Sequence, residues 1–403
     1  MTEIIELPLL RGSERKDFKR CPQRWWWAWR DGLESKKQKL PLWFGTGIHL
    51  AFEQWYIPGT VRGRDPIETW QEYCAGVREL IRVEFKNSGL PPEAETVALD
   101  AEAVGIAMLQ NYRVEFGDDD QWEILSPEQP FGTKIPRSTG IDPLRPKDMT
   151  PVVKFHGTFD IVARDLADGT IWLWDHKTAR SIRTDHLPLD DQAGGYWAVA
   201  DSVLRRQGTI GKRERIHGIL YNFLMKAPPD PRPVNEQGLA TNKPKKEHYI
   251  RDLVAYEATA HIARGGAEKD WINEKGPAAE KAFTKLKLGE LADEAAERDL
   301  VVLGEVSNQQ PSPRFHREKV FRTSKERIRQ IQRIADEVQV MNEMREGRLP
   351  LYKTPTTDCT WDCDFYNLCL ADENGGDVEM LKSAAYRVRD PYAAHREERR
   401  GDF

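Results

Sequence analysis

Hydrophobic and polar positions follow a helical period through most of the first 120 residues. The segments 65–88 and 95–115 place apolar residues three or four positions apart over lengths typical of helices. A helix is also expected from Ser13 toward Trp29, which Pro22 either breaks or restarts because proline is best tolerated in a first turn. The pattern predicts that the first third of the chain is mainly helical.

The pattern of hydrophobic and polar residues becomes typical of strands after residue 120. Four runs read as strands, at 121–131, 152–164, 171–177 and 216–223. Residues 132–150 are rich in Pro and Gly and predict a loop, while Asp168-Gly169 predicts a tight turn between the second and third strands. A helix is expected at 189–206, before the fourth strand.

Helical patterns return in the last part of the chain. Residues 226–246 contain many prolines and no periodic pattern, and they predict an exposed loop. Helices are expected at 252–273 and 278–296, and the clearest amphipathic helix lies at 324–346. The polar and charged residues 376–403 are expected to form a loose tail.

Composition places the chain among globular proteins, with 39% hydrophobic and 31% charged residues over 403 positions. No apolar run is long enough to span a bilayer, and the N-terminus lacks the pattern of a secretory signal. A cytoplasmic protein without a membrane partner is therefore expected. The net charge of −5 means that nucleic-acid binding requires positive charge gathered locally.

Two sequence features are candidates for such binding. The run from Arg314 to Arg333 contains eight Lys or Arg and two Glu, and it either follows a phosphate backbone or forms a solvated helix face. Trp25, Trp26 and Trp27 stand in a row among thirteen tryptophans. They either stack on unpaired bases or pack in the core.

Two carboxylates and a lysine are the main chemical signal. Asp175 and Lys177 are two positions apart in a predicted strand, so they point to the same face, and the hairpin can bring Asp160 beside them. Carboxylate oxygens suit Mg²⁺ or Mn²⁺, which polarise a phosphodiester and lower the pKa of bound water. The alternative is strand-end acids and a surface lysine, which is the commoner meaning of so short a pattern.

The order of the motifs resembles the RecB-type and Cas4-type exonucleases of the PD-(D/E)XK superfamily. The matching motifs are GxxD at Gly157 to Asp160, (D/E)xK at Asp175 to Lys177, QxxxY at Gln192 to Tyr196 and, with a small offset, G-x-x-H at the predicted turn Gly45-Thr46-Gly47 and the following helix with His49. The resemblance implies an α/β fold with a restriction-endonuclease-like core, in which helices flank a mixed central sheet.

The resemblance also implies roles for single residues. Asp160 and Asp175 bind Mg²⁺ or Mn²⁺, His49 completes the metal shell, and Lys177 assists the attacking water. Gln192 and Tyr196 position DNA beside the metal.

Each of the added residues has a plainer alternative. His49 alone is more often a satisfied helix histidine, and Gln192 and Tyr196 suit a helix cap and a core tyrosine. Glu53, one turn after His49, is either its partner or a solvated acid. Glu128 is an acid near the end of a predicted strand, where related nucleases place one.

Five cysteines in a chain without a signal peptide argue against a disulfide framework. Cys359, Cys363 and Cys369 cluster near the C-terminus, and Cys21 precedes Pro22 far upstream. Four thiolates can hold Zn²⁺ or a [4Fe–4S] cluster. The split pattern resembles the iron–sulfur staple of Cas4-like and AddB-like nucleases, although the spacing between the second and third cysteines is x3 rather than x2. Cys74 is expected in the core.

These observations predict one nuclease domain over 1–375 and the tail after it. Its parts are a helical N-terminal part with Cys21 and His49 (1–120), the catalytic core (121–225), a helical insert (226–310) and a basic helix with the cysteine cluster (311–375).

The resemblance implies a metal-dependent deoxyribonuclease, an exonuclease acting on DNA ends or single strands in recombination, repair or phage DNA metabolism. One rival is a non-catalytic DNA-binding subunit of a helicase–nuclease or integration complex, against which the intact Asp160, Asp175 and Lys177 set argues. Another is a zinc metallohydrolase, disfavoured because HxH and HExxH spacings are absent. No GxxxxGK[ST] motif is present, so helicase activity would need a helicase or recombination protein as partner.

Overall fold

The structure is a computed structural model that describes residues 7–36, 41–88, 93–137, 150–226, 230–311 and 313–393. The chain divides into two compact units. The first consists of Met1–Ala227 and Arg314–Phe403, and the second is Pro228–Pro313. The second unit falls where the sequence predicts an insert.

The first third of the chain is mainly helical, as predicted. Its elements are β1 (Leu9–Arg11), α1 (Gly12–Arg20), α2 (Pro22–Trp25) with a π-helical continuation at Trp26–Arg30, β2 (Leu33–Ser35), α3 (Pro41–Trp55), α4 (Pro66–Ser88) and α5 (Glu93–Phe116). Pro22 restarts the helix, because it occupies the first turn of α2.

The predicted turn at Gly45-Thr46-Gly47 is wrong, because these residues lie inside α3. A Cβ atom at Gly47 would come within 2.6 Å of ring atoms of Trp70 and Tyr73 on α4. The glycine is therefore explained by close helix packing rather than by a turn.

The central elements follow the predicted order. They are β3 (Trp122–Pro136), β4 (Pro151–Asp165), β5 (Ile171–Ala179), α6 (Asp191–Gln207) and β6 (Ile216–Met225). The predicted loop at 132–150 begins too early, because β3 continues to Pro136 in pairing with β4. Residues 138–149 of that prediction lie outside the described residues.

The second unit contains α7 (Lys246–Ala263), α8 (Glu268–Asp270), which continues as a π-helical turn, α9 (Gly276–Lys285) and α10 (Leu288–Ala296). They enclose a small core of their own, with Leu253 and Leu291 fully buried. The predicted helix 252–273 ends early because Gly265 adopts a left-handed φ of 83°. The predicted helix 278–296 is interrupted where Leu286 is extended.

The last elements return to the first unit. They are β7 (Phe315–Phe321), α11 (Ser324–Arg345), α12 (Cys359–Asp362), α13 (Tyr366–Glu373), α14 (Val378–Ala385) and β8 (Tyr386–Val388). Thr323 and Glu326 form a capping box at the start of α11.

The expected loose tail is structured through Ala393. β8 pairs with β2, and the ring of Tyr386 stacks on Phe365 at 5.5 Å between centroids. Tyr392 donates a hydrogen bond of 2.6 Å to the buried carboxylate of Glu14. These contacts hold a segment whose polar composition predicted disorder, while 394–403 lie outside the described residues.

A mixed sheet lies at the centre of the first unit. β3 runs antiparallel to β4, whose other edge pairs antiparallel with β5 and parallel with β1. β6 runs parallel to β5, and β7 runs antiparallel to β6. The predicted α/β class with a mixed central sheet is confirmed.

Helices cover both faces of this sheet. Leu173 of β5 joins a core that includes residues of α6 and α11, while its neighbours Trp172 and Trp174 join a second core with residues of α3 and α5. Alternate side chains of β5 therefore face opposite layers. The strand β5, which carries the candidate residues Asp175 and Lys177, therefore lies between the two helical layers.

Candidate metal centre

Three side chains from three different elements converge in the first unit. His49 on α3, Glu128 on β3 and Asp160 on β4 offer ligand atoms that all lie within 4.8 Å of one another. Nδ1 of His49 is 3.4 Å from Oε1 of Glu128 and 3.6 Å from Oδ2 of Asp160. One imidazole and two carboxylates form a donor set that suits a divalent cation.

The β3–β4 pairing places Glu128 opposite Asp160, between the pairs Pro127–Ile161 and Gln129–Phe159. Glu128 has a φ of 38°, in the left-handed region that side chains other than glycine rarely adopt. Such backbone strain is found most often at functional sites. No residue type in the sequence signals this conformation, so only the resemblance pointed to Glu128.

Asp175 and Lys177 lie together on the adjacent strand β5, on one face as predicted. Nζ of Lys177 is 3.0 and 2.8 Å from the two carboxylate oxygens of Asp175. The backbone N–H of His176 donates to Oδ2 of Asp160 at 2.8 Å, which ties the two strands at this point. The hairpin therefore brings Asp160 beside the Asp175–Lys177 pair.

The site concentrates negative charge in a partly buried place. Burial raises the pKa of Asp175 to about 6, with Asp160 adding to the rise and Lys177 opposing it. Burial raises the pKa of Asp160 as well, against the attraction of His49. Burial favours neutral His49, but Asp160 and then Glu128 outweigh it and raise the pKa of His49 to about 9. A bound cation would relieve the repulsion between the carboxylates.

His49 is oriented by a backbone carbonyl. Nε2 of His49 lies 3.2 Å from the carbonyl oxygen of His176, to which its N–H donates. Nδ1 is thereby turned toward Glu128 and Asp160. This arrangement is typical of histidines that bind a metal through the other ring nitrogen.

A buried polar network supports β5 from the opposite face. The Asn222 amide donates to Nδ1 of His176 and to the hydroxyl of Tyr112, each at 2.9 Å. Arg317 donates to the hydroxyl of Tyr112 at 2.6 Å and to both oxygens of Asp119 at 2.6 and 2.7 Å. The side chain of His176 is thus fixed on one face while its backbone contacts the site.

Gln192 and Tyr196 lie on the first turns of α6. Asp190 caps this helix by accepting hydrogen bonds from the N–H groups of Gln192 and Ala193 at 2.9 and 3.3 Å. Gln192 and Tyr196 are four positions apart in α6, so both side chains lie on one face of the helix. Tyr196 lines a small cavity together with Asp160 and Asp175.

Gly157 of the GxxD motif allows this approach of Tyr196 to β4. A Cβ atom at position 157 would lie 2.8 Å from Cζ of Tyr196 and 2.8 Å from the ring of Phe131. Any side chain at 157 would displace one of the two rings.

The chain also matches a known protein family. A family model described as the PD-(D/E)XK nuclease superfamily matches residues 13–370, nearly the whole chain. The chain belongs to the PD-(D/E)XK nuclease superfamily. It thereby belongs to a group of metal-dependent nucleases, with DNA as the implied substrate.

No curated protein matches the chain. Within the residues described, no helix is both long and apolar enough to cross a bilayer.

Much of the positive charge of the basic run in this PD-(D/E)XK protein is used in internal contacts. Most of its cations are engaged within the first unit: Arg317 with Asp119, Lys319 with Asp165, Arg322 with two backbone carbonyls, Arg327 with Asp201 and Arg333 with Asp191. The run also divides into β7 and the start of α11 rather than forming one basic helix. Internal ion pairing accounts for much of this positive charge, and contact of the run with a phosphate backbone stays a prediction.

The tryptophan row packs inside this superfamily member. Trp25 and Trp27 are buried, and Nε1 of Trp25 donates to Glu14 at 3.0 Å. The core interpretation therefore holds for these two residues. Glu53 is exposed, and Cys74 is buried in α4 as expected.

The four remaining cysteines lie where the N- and C-terminal segments of the nuclease domain contact each other. The N–H groups of Thr354 and Thr356 donate to Sγ of Cys21 and Cys359 at 3.4 and 3.3 Å. The N–H of Gln23 donates to the carbonyl of Tyr352 at 3.1 Å. Among the described residues no three sulfur atoms lie within 4.8 Å of one another.

Proposed function

We propose that this protein is a Mg²⁺- or Mn²⁺-dependent DNA exonuclease that hydrolyses phosphodiester bonds at DNA ends or on single strands. The convergence of His49, Glu128 and Asp160 beside the Asp175–Lys177 pair carries the proposal. When bound, the cation polarises the phosphodiester and lowers the pKa of a water molecule. The exonuclease preference rests on the resemblance of the motif order to RecB- and Cas4-type enzymes.

Each residue of the site has a chemical role in this proposal. Asp160 and Asp175 supply carboxylate ligands, and His49 supplies Nδ1 because its Nε2 is engaged by the carbonyl of His176. Asp175 and Asp160 raise the pKa of Lys177 against the effect of burial. Lys177 therefore stays protonated, so it acts through its charge, orienting water and stabilising the negative charge that develops on the phosphate.

Gln192 and Tyr196 would hold the DNA backbone next to these groups. Burial and the nearby charge of Asp160 raise the pKa of Tyr196, so its hydroxyl remains a hydrogen-bond donor at neutral pH. A neutral donor suits a phosphate oxygen better than a phenolate would.

Degradation of end-labelled single- and double-stranded DNA with Mg²⁺ or Mn²⁺ tests the proposal. We expect cleavage by wild type, a loss of at least a hundredfold in Asp175→Ala and Lys177→Ala, and normal cleavage in Glu53→Ala, whose side chain is exposed. The fate of the label reports the direction of degradation. Absence of cleavage on every substrate by wild type purified without oxygen would favour the accessory DNA-binding role.

We also propose that Cys21, Cys359, Cys363 and Cys369 hold a [4Fe–4S] cluster that joins the two ends of the domain, with Zn²⁺ as the alternative. Backbone N–H groups donate to the sulfurs of Cys21 and Cys359, and hydrogen bonds of this kind are typical of sulfurs that hold a cluster. One Zn²⁺ with bonds of about 2.3 Å would draw the sulfurs to within roughly 4 Å of one another, closer than they stand here. Iron, sulfide and zinc analysis of anaerobically purified protein decides between them, and absence of all three contradicts the proposal.

The resemblance suggests a setting in recombination, repair or phage DNA metabolism. We propose a helicase or recombination protein as partner, since the sequence has no GxxxxGK[ST] motif to drive unwinding. Stimulation of cleavage on blunt duplex DNA by an added helicase is the expected result.

A further inference from the structure

Two cations stand side by side where β5 and β6 end. Arg180 follows β5 directly and Lys226 follows β6 directly. The parallel register pairs Ala179 with Met225, and the N–H of Lys226 donates to the carbonyl of Ala179 at 2.7 Å. The two basic residues are therefore neighbours across the strand ends.

Lys226 is partly buried against α3. Its Nζ lies 4.7 Å from the ring centroid of Phe44. Burial lowers the pKa of Lys226, the charge of Arg180 lowers it further, and no carboxylate opposes these effects. In the part of the chain that is described, neither side chain forms an ion pair or a side-chain hydrogen bond.

Several other cations near the sheet do have a counter-charge in contact. Lys177 is paired with Asp175, and the basic run is largely paired with acids of the same unit. Two adjacent positive charges without a counter-charge are unfavourable unless an anion joins them. The structure thus provides a place for a ligand of negative charge.

The pair also lies at a suitable distance from the metal centre. Arg180 is three residues beyond Lys177, or about 10 Å along an extended strand. That separation equals about three base pairs of axial rise in duplex DNA, at roughly 3.4 Å each. Phe44, which Lys226 contacts, lies about 7.5 Å before His49 along the axis of α3.

We propose that Arg180 and Lys226 bind a backbone phosphate of the DNA strand whose scissile bond lies at the metal centre. The ligand of this site is a phosphodiester group of DNA. This inference rests on the proposed nuclease function. Arg180 offers several N–H donors to phosphate oxygens, while Lys226, held against Phe44, adds a point charge.

Binding of the full-length protein to a fluorescein-labelled single-stranded oligonucleotide tests this proposal. Fluorescence anisotropy is measured from 50 to 200 mM NaCl, with Ca²⁺ replacing Mg²⁺ to slow cleavage. For the double variant Arg180→Gln with Lys226→Gln we expect the slope of log Kobs against log salt to fall by about 0.7, because one phosphate contact is lost. Affinity at 50 mM NaCl should weaken by roughly five- to tenfold.

The matched control is Lys212→Gln with Arg213→Gln. Lys212 and Arg213 are exposed and precede β6, at the other end of the same strand. Their substitution removes one lysine and one arginine charge, as in the first double variant. The control should keep the wild-type slope. An unchanged slope in the first double variant, or an equal fall in both, overturns the proposal.

Cleavage assays on the same preparations separate this proposal from the nuclease function. If wild type cleaves but the Arg180–Lys226 variant keeps its slope, only the phosphate site is wrong. If wild type neither binds nor cleaves DNA, both proposals are overturned. If the site acts as inferred, the Arg180–Lys226 double variant has a raised KM and a kcat that falls less.

Discussion

Asp175 is a largely buried carboxylate, and this burial makes its ionisation unfavourable in the metal-free protein. Its pKa is raised to about 6 by burial and by Asp160, even with Lys177 in contact. A group whose folded pKa exceeds its unfolded value stabilises the fold below the unfolded pKa, and this stabilisation is lost as pH rises through the folded pKa. At this residue, requirements for activity and for stability oppose each other.

Asp175→Asn should therefore be at least as stable as wild type without metal at pH 8. The shift from 3.8 to about 6 corresponds to at most about 3 kcal/mol, which already includes the attraction of Lys177. The difference between variant and wild type should vanish near pH 4 and grow as pH rises through 6. Urea unfolding with EDTA at pH 4 and pH 8 measures the difference in unfolding free energy between Asp175→Asn and wild type. A difference that favours the variant less at pH 8 than at pH 4 contradicts the prediction.

Metal binding should make wild type more stable than Asp175→Asn. Mn²⁺ at a hundred times its Kd is expected to stabilise wild type by about 2.7 kcal/mol. Asp160→Asn should lose this stabilisation, and EDTA should remove it from wild type. Thermal unfolding with and without Mn²⁺ is the measurement, with Glu53→Gln as the control that keeps the wild-type shift. An equal shift in Asp160→Asn would show that the cation binds elsewhere.

The residues of the site differ in how far the sequence predicts them. Asp175 and Lys177 share a strand face because their spacing is two, which is a local rule. Glu128 comes near Asp160 only through the β3–β4 register and a left-handed backbone. Neither property is local, so the sequence alone gave no physical reason to choose Glu128 over other acids.

At the scale of elements, β5 joins the site to the interior. One of its faces carries Asp175 and Lys177, and the other carries His176, held by Asn222. The backbone at His176 contacts both Asp160 and His49. Movement of this strand would therefore change the positions of two side chains of the metal centre.

Asn222→Ala should weaken metal binding although Asn222 does not touch the centre. Losing its hydrogen bonds should cost about 1–3 kcal/mol of unfolding free energy, and Mn²⁺ affinity should fall about 10- to 100-fold. Ile334→Val, in the buried core of α11, should cost about 0.5–1.5 kcal/mol and leave Mn²⁺ affinity unchanged. Equal Mn²⁺ affinities in the two variants, measured by calorimetry, would contradict the positioning role.

Elements with clear periodicity were predictable, and those made by tertiary contacts were not. α4, α5 and α11 follow their apolar spacing closely. The centre of β7 is charged, and its Arg317 and Lys319 pair with Asp119 and Asp165. Periodicity cannot reveal a strand whose central side chains are held by ion pairs rather than by apolar packing.

At the scale of the whole molecule, the two ends of the chain are held together in the first unit. β2 pairs with β8, and Tyr392 contacts Glu14. Removing everything after Gly375 should therefore lower the melting temperature by several degrees, since about 1 kcal/mol shifts it by 2–4 °C in a large domain. A shorter truncation after Ala393 keeps these contacts and serves as the control. Equal melting temperatures would restore the interpretation as a loose tail.

The second unit should be removable. The N–H of Met225 donates to the carbonyl of Arg314 at 2.8 Å, so the chain leaves and re-enters the first unit at adjacent points. Replacing 228–313 with a short Gly-Ser linker should leave a folded protein that still binds Mn²⁺. Circular dichroism and Mn²⁺ titration measure this, and an unfolded product would show that the two units depend on each other.

The internal pairing of the basic run has a consequence for how DNA arrives. A molecule of net charge −5 whose basic run is mostly paired with its own acids exerts little attraction beyond the Debye length, about 8 Å at physiological salt. Collisions with DNA should then lead to complexes at the unsteered rate of about 10⁵–10⁶ M⁻¹s⁻¹. Discrimination among DNA molecules would arise from how long each one stays bound rather than from how fast it is found.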